Sequence, residues 1–222
     1  RRARNVLVDI YANWVAPEKI LVSNIWSSEL AKLTSNAFLA QRVSSINAIA
    51  NICEQTGADV TEVSRAVGMD TRIGARFLNA GVGFGGSCFR KDILSLVYLC
   101  RSCGLNEEAD YWQQVVTVNE YQKRRFVKRM LAAMFGTLAG KKIAVFGFSF
   151  KPDTSDIRDA PAISIVRELL AEGADLAITD PQALGNAAGL LGTAEGRIAY
   201  VKDPYQAAEG SHAVIVLTEW RQ

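Results

Sequence analysis

Two stretches of different grammar predict an α/β protein. An all-helical block covers about 24–138, and a parallel α/β block covers about 140–222. Three observations carry this prediction. From Ser27 to Gln55 the apolar residues recur near the 3.6 period of a helix. After Gly140 the order becomes strand, helix, strand in close succession, which implies parallel βαβ winding. The first of those strands, KKIAVFGFS (141–149), reads as a buried strand, its middle an unbroken apolar run, as a strand covered on both faces requires.

Taken in order, residues 5–12 (NVLVDIYA) read as a short strand or an incomplete element, and Pro17 opens a connector. Ser27 is the expected cap of the long helix, with Glu29 at the positive end of its dipole. Leu30, Leu33, Ala37, Ala40, Ile46, Ile49, Ala50 and Cys53 form its stripe, and Gly57 ends it. At about 1.5 Å per residue it would span roughly 40 Å. A helix that long needs neighbours along its length, in its own domain or across a dimer. Residues 58–70 predict a second, short helix capped by Asp59 or Thr61, and 71–87 a glycine-punctuated loop. Helices follow over about 92–103 and about 106–135, and Gly136 and Gly140 mark a boundary. Beyond it lie a strand at 141–149, a helix at 161–173 with Pro at its start and Gly at its end, and strands at 174–180 and 212–220.

A chain of 222 residues that is 49% hydrophobic can build one large or two small cores. Lys and Arg number 25 against 23 Asp and Glu, so the charge balance asks for neither nucleic acid nor an anionic membrane. No apolar run approaches the roughly 18 residues of a spanning helix, and no secretory signal opens the chain. The expected compartment is the cytoplasm. The first residue is Arg, not Met, which suggests a portion of a longer protein. Four cysteines in a chain of this size do not resemble a disulfide framework. CRSC (100–103) lacks further metal ligands, since the single His is His212, and no metal is expected. Cys100 and Cys103 read as residues near a helix end closed by Gly104.

Chemistry concentrates in three places. GFGGSCFRKD (83–92) is the first. Glycines at 81, 83, 85 and 86 let backbone N–H groups approach a ligand and permit positive φ. Cys88 precedes a helix expected to start near Asp92 and has Arg90 and Lys91 beside it, both of which would activate a thiol. Asp92 would cap that helix or act as a base. The other reading is a tight turn with a buried cysteine. The second place is the pair Lys32 and Asn36, four apart on one helix face. Lys32 either extends its ammonium to water or, with Asn36 and a nearby thiol, stabilises an oxyanion. The third is GFSFKPDTSDIRD (147–159), the loop after the first parallel strand. It has one glycine where a dinucleotide loop has G-x-G-x-x-G. Lys151 and Arg158 suit a phosphate there, and a polar surface loop with internal ion pairs is the alternative.

WSSELAKLTSNAFLAQRVSSINAIANICE (26–54), FLNAGVGFGGSCFRKD (77–92) and GFSFKPDTSDIRDAP (147–161), in that order and spacing, resemble the nucleotide-sugar 6-dehydrogenase family. Its members act on UDP-glucose, GDP-mannose or UDP-N-acetylmannosamine. The resemblance implies that 1–23 is the remnant of an N-terminal NAD-binding domain and connector. It makes 24–138 a central helical dimerisation domain and 139–222 a Rossmann-like UDP-binding domain. The implied activity is a four-electron, NAD-dependent oxidation of UDP-glucose to UDP-glucuronate through a cysteine thiohemiacetal and thioester. The main NAD site would lie on the preceding domain, so this chain would be inactive alone. A related nucleotide-sugar dehydrogenase, or a non-catalytic dimerisation and nucleotide-sugar-binding module, are the alternatives. Residue by residue, Cys88 matches the family's nucleophile, Lys32 its oxyanion-stabilising lysine, Asn36 that lysine's partner, and Asp92 an aspartate assisting proton transfer. The backbone of Asn79, Ala80, Gly81, Val82, Gly83, Phe84 and Gly85 matches the nucleotide-sugar cradle. Arg72 matches an arginine reaching the sugar across a homodimer or higher homo-oligomer. Phe150 and Lys151 match contacts to uridine and phosphates. Lys91 and Arg158, with Cys88, match positions near NAD.

Overall fold

The computed structural model describes residues 2–221. Its first half is helical. After α1 (Arg2–Tyr11) and a 3-10 turn at Pro17–Lys19 comes α2 (Ile25–Thr56), then α3 (Val60–Gly68), α4 (Phe89–Ser102) and α5 (Asn106–Ala133). The second half runs β1 (Lys142–Phe146), α6 (Pro161–Ala171), β2 (Asp175–Thr179), α7 (Leu184–Leu191), β3 (Ile198–Tyr200), α8 (Pro204–Ala208), β4 (Ala213–Val216).

The 32 residues of α2 make a rod of about 48 Å. Asn24, not Ser27, caps it: the Asn24 side chain accepts from the Ser27 N–H at 2.8 Å. The capping signal was displaced by one turn because Ile25 and Trp26 are already helical. Gly57 closes the helix in the left-handed conformation, at φ +76°. Ala37 and Ala40 on α2 pack with Ile93, Leu96 and Val97 on α4 and with Ala109, Val115 and Val116 on α5. The small residues of α2 let the three helices approach closely.

The sequence expectation for 5–12 is corrected. This stretch is helical, because Val6 and Ile10, and Leu7 and Tyr11, repeat four apart. All four are substantially exposed. The helix after the glycine loop also begins earlier than expected, at Phe89, with Cys88 as its N-cap. Asp92 therefore does not cap; it lies one turn inside.

The sheet is parallel throughout, in the order β3-β2-β1-β4. Alternate residues Ile143 and Val145, Leu176 and Ile178, and Ile215 face α6, where Ile165, Val166 and Leu169 are fully buried. Ala144 and Ala177, buried on the other face, leave room for α8, which lies against β1 and β2. Val127 near the end of α5 joins the same core, so the helical half and the sheet share apolar packing. α7, β3 and α8 were not anticipated from the sequence. They are short, and Gly185, Gly189 and Gly192 blur the periodicity around α7.

Candidate functional site

From β1 the chain winds outward through β2 and β3, then returns across the sheet to β4 on the far side of β1. The reversal leaves a crevice at the carboxyl ends of β1 and β4, the place where open parallel sheets take ligands. A cleft of about 800 Å³ opens there. Phe150, Lys151 and Pro152, from the loop after β1, form one wall, and Leu217, Thr218 and Glu219, after β4, form another. The glycine loop closes the third side with Asn79, Ala80, Gly81, Val82, Gly83 and Phe84. Eight residues singled out in the sequence thus share one cavity. Gly85 sits just past it, packed under Asp159 and Pro161. Arg72 does not line the cleft; its exposed guanidinium pairs with Asp70 at 2.6 Å.

Amide side chains, two of them buried, hold the loop in place. Asn47 on α2 accepts from the Gly81 N–H at 2.8 Å, and Gln122 on α5 donates to the Gly81 carbonyl at 2.9 Å. Asn119 grips Phe84 twice, accepting from its N–H at 2.7 Å and donating to its carbonyl at 3.0 Å. The Gly86 N–H donates to the Arg158 carbonyl at 2.9 Å. The N–H groups of Gly81, Phe84 and Gly86 therefore serve the fold rather than a ligand, which revises the sequence reading of this loop. A Cβ at Gly83 would stand 2.8 Å from the Asn119 oxygen, and one at Gly86 would stand 2.9 Å from the Phe150 ring. These glycines bring the loop against its own protein.

The same loop ends at Cys88, whose side chain is exposed at the head of α4. Asp92, 2% exposed, lies beneath it. The Lys32 ammonium forms an ion pair with Asp92, Asn36 donates to the same oxygen at 2.5 Å, and Lys91 stands 3.9 Å from the other. Burial pushes the Asp92 carboxyl upward, but the bonds from Lys32 and Asn36 and the charges of Lys32 and Lys91 outweigh it. The carboxyl is held below its ordinary value. The bond to Asp92 raises the Lys32 ammonium against the opposing effect of burial, and the Asp92 charge and the Cys88 sulfur add to the rise. Lys32 is thus a firmly protonated cation, more than half exposed, in the electrostatic reach of the thiol. Arg158 also lies within reach of Cys88 and is held in a fork by Asp156 at 2.7 Å. A thiol, a fixed ammonium, an amide and a buried carboxylate can carry out nucleophilic addition with charge stabilisation at the attacked oxygen.

The end of β1 does not fit a dinucleotide. Its single glycine, Gly147, has φ +87° and abuts Thr218. The acid at the end of β2, Asp180, is buried and bonded to its own chain. Among the described residues no helix is long and apolar enough to cross a membrane. No cluster of His, Cys, Asp or Glu could hold a metal ion among them either. Residues 181–221 contributed no site candidates from the sequence, yet Leu217, Thr218 and Glu219 line the cleft. Their only signal was their place after a strand.

Comparison with known proteins gives concordant results. Residues 26–121 match the model for the central domain of the UDP-glucose/GDP-mannose dehydrogenase family, and 144–222 match that family's UDP binding domain. The chain is 53% identical over 221 residues to a UDP-glucose 6-dehydrogenase of Caenorhabditis elegans, covering 96% of this chain and 46% of that protein. It is 50% identical over 238 residues to UDP-glucose 6-dehydrogenase 1 of rice, Oryza sativa subsp. japonica, covering 99% of this chain and 50% of that protein. A solved UDP-glucose dehydrogenase from the archaeon Pyrobaculum islandicum superposes with a TM-score of 0.90 at 37% identity, covering 99% of this chain and 49% of that one. The chain spans about half the length of the relatives it matches. Two family models in register over most of its length, on the fold and cleft described above, place this chain in the UDP-glucose/GDP-mannose dehydrogenase family.

Proposed function

We propose that this chain supplies the nucleotide-sugar cleft and the covalent chemistry of an NAD-dependent oxidation of UDP-glucose to UDP-glucuronate. One observation carries the reading. A single loop, 79–88, lines a cleft at the sheet's switch point and ends at an exposed cysteine beside a fixed lysine.

In this reading the nucleotide lies between the 79–84 backbone and Phe150, with Lys151 toward the diphosphate. The sugar then points along the loop to Cys88. The Cys88 sulfur adds to the aldehyde carbon at C6, and the new negative oxygen is met by the Lys32 ammonium. Asn36 orients that oxygen or the attacking water. After the carbon reaches the acyl level, water attacks, the carbon–sulfur bond breaks and the uronate leaves. Asp92 keeps Lys32 placed and takes part in proton movement. Two hydrides would leave C6 in succession, each to its own NAD, the first on forming the aldehyde and the second on passing from thiohemiacetal to thioester. NAD would be held mainly by residues other than those of this sheet, with Lys91 and Arg158 as candidate contacts. A second copy of the chain would pack along α2, where Leu30, Phe38 and Ile52 are exposed, and would receive Arg72 toward its sugar.

Variants of the complete enzyme test the assignment. Cys88→Ser should lose nearly all net turnover, because a hydroxyl yields little alkoxide for attack. Lys32→Ala should lose about 10²–10³ in rate. Both should still bind UDP-glucose by calorimetry, since neither residue lines the nucleotide cleft. Wild-type turnover by Cys88→Ser would reduce GFGGSC to a tight turn.

A further inference from the structure

Asp180 ends β2 and is 4% exposed. Its carboxylate has no basic partner among the described residues, yet it is densely bonded. One oxygen accepts from the N–H groups of Phe148 at 2.7 Å and Ser149 at 3.0 Å, from the Ser149 hydroxyl at 3.3 Å and from the Trp220 indole at 3.2 Å. The other accepts from the N–H groups of Gln182 at 2.9 Å and Ala183 at 2.6 Å. Burial pushes the carboxyl up, but the N–H donors of Phe148, Ser149, Ala183 and Gln182 outweigh it and hold it ionised.

These donors come from three places. Phe148 and Ser149 lead directly into Phe150 and Lys151. Trp220 follows Thr218 and Glu219. Gln182 and Ala183 begin the turn into α7. Thr218 adds a cross-tie, donating to the Ser149 carbonyl at 2.6 Å. Two of the three cleft walls thus join at one buried charge. In a dinucleotide-binding sheet the acid at this point faces the ribose; here both of its oxygens are taken up within the chain.

We infer that Asp180 is a positioning residue for the nucleotide cleft: it holds the loops after β1 and β4 at the spacing that admits the nucleotide between them. This rests on the UDP-sugar reading of the cleft. An asparagine cannot replace it, because its amide would turn a donor toward N–H groups that already donate.

The test compares this chain with its Asp180→Asn and Trp220→Phe variants by UDP calorimetry and by amide hydrogen exchange resolved by segment. Asp180→Asn should weaken UDP binding about tenfold or more, the scale of lost charge-assisted bonds. Its exchange should quicken at 147–152 and 217–221 while β3 and α2 stay protected. Trp220→Phe removes a single bond to Asp180. It should quicken exchange at 217–221 alone and weaken binding several-fold, and it decides the matter if Asp180→Asn does not fold. Unchanged binding and unchanged exchange at Phe148 and Ser149 in a folded Asp180→Asn variant would overturn the inference. So would faster exchange spread evenly over the whole sheet. Failure of the unaltered chain to bind UDP would instead overturn the cleft assignment, while the exchange pattern would still judge Asp180.

Discussion

Cys88 and Cys103 stand at opposite ends of one helix: Cys88 is the N-cap of α4 and Cys103 its C-cap. Both are exposed, whereas Cys53 and Cys100 are buried. Burial also pushes the Cys100 thiol up, with the charge of Glu108 adding to it. The dipole of α4 favours negative charge at its head and opposes it at its tail. A thiolate is the reactive form, and Lys32 and Arg158 lie near Cys88. Limiting iodoacetamide at neutral pH should therefore label Cys88 first, Cys103 more slowly, and the buried pair last, as read by peptide mass spectrometry. Faster labelling of Cys103 would contradict the electrostatic picture of the site. Exposure alone would predict two equal thiols; the helix ends separate them.

At the scale of elements, the glycine loop matters because its glycines are not equivalent. A Cβ at Gly85 would press on the Asp159 carbonyl at 2.6 Å and on Pro161 at 2.8 Å. Those are backbone and ring atoms that cannot swing aside. At Gly81 nothing lies within 4 Å. Gly85→Ala should cost on the order of 1–3 kcal/mol, by forcing the loop off 158–161. Gly81→Ala should stay within about 0.5 kcal/mol. Chemical denaturation of the two variants reads the difference, and equal losses would mean that the loop does not pack as described. In the sequence the two positions looked alike, as glycines of one loop. The long period of α2 and the apolar run of β1 were legible because each repeats one signal many times. So were Gly57 and Gly104, which end helices with φ +76°. The 5–12 stretch misled because three apolar residues in a row, Val6, Leu7 and Val8, fit either period. The cluster of Lys32, Asn36 and Asp92 could be suspected from motif resemblance, but not its bonding. That depends on α2 crossing α4, a contact 56–60 residues apart in the chain. Asn119 and Asp180 gave no signal at all, since an isolated polar residue does not announce a buried partner.

Over the whole molecule, the helical half and the sheet each hold a buried carboxylate, Asp92 and Asp180. Asp92 fastens α4 to α2, and Asp180 fastens the strand-end loops. Both carboxyls lie below their ordinary 3.8 in the folded chain. The sign of the linkage follows. A carboxyl with a depressed folded value binds its proton more readily when unfolded, so each contributes stability that is fully present above the unfolded value of about 4. That contribution falls away as the pH drops through the lower folded value. The physical source of that loss is the weakening of the bonds from the buried donors once either carboxylate takes a proton. Urea unfolding of this chain should show little dependence on these two groups between pH 7 and 5, then a steep decline below about pH 4. Because the two carboxylates sit in different halves, probes of each half should report the decline together if the shared core around Val127 couples them. Asp92→Asn should flatten only part of the slope, leaving the share that belongs to Asp180. A variant whose acid limb matches the unaltered chain would show that Asp92 does not hold the helical half together. Loss of most stability between pH 7 and 5 would place the controlling group elsewhere.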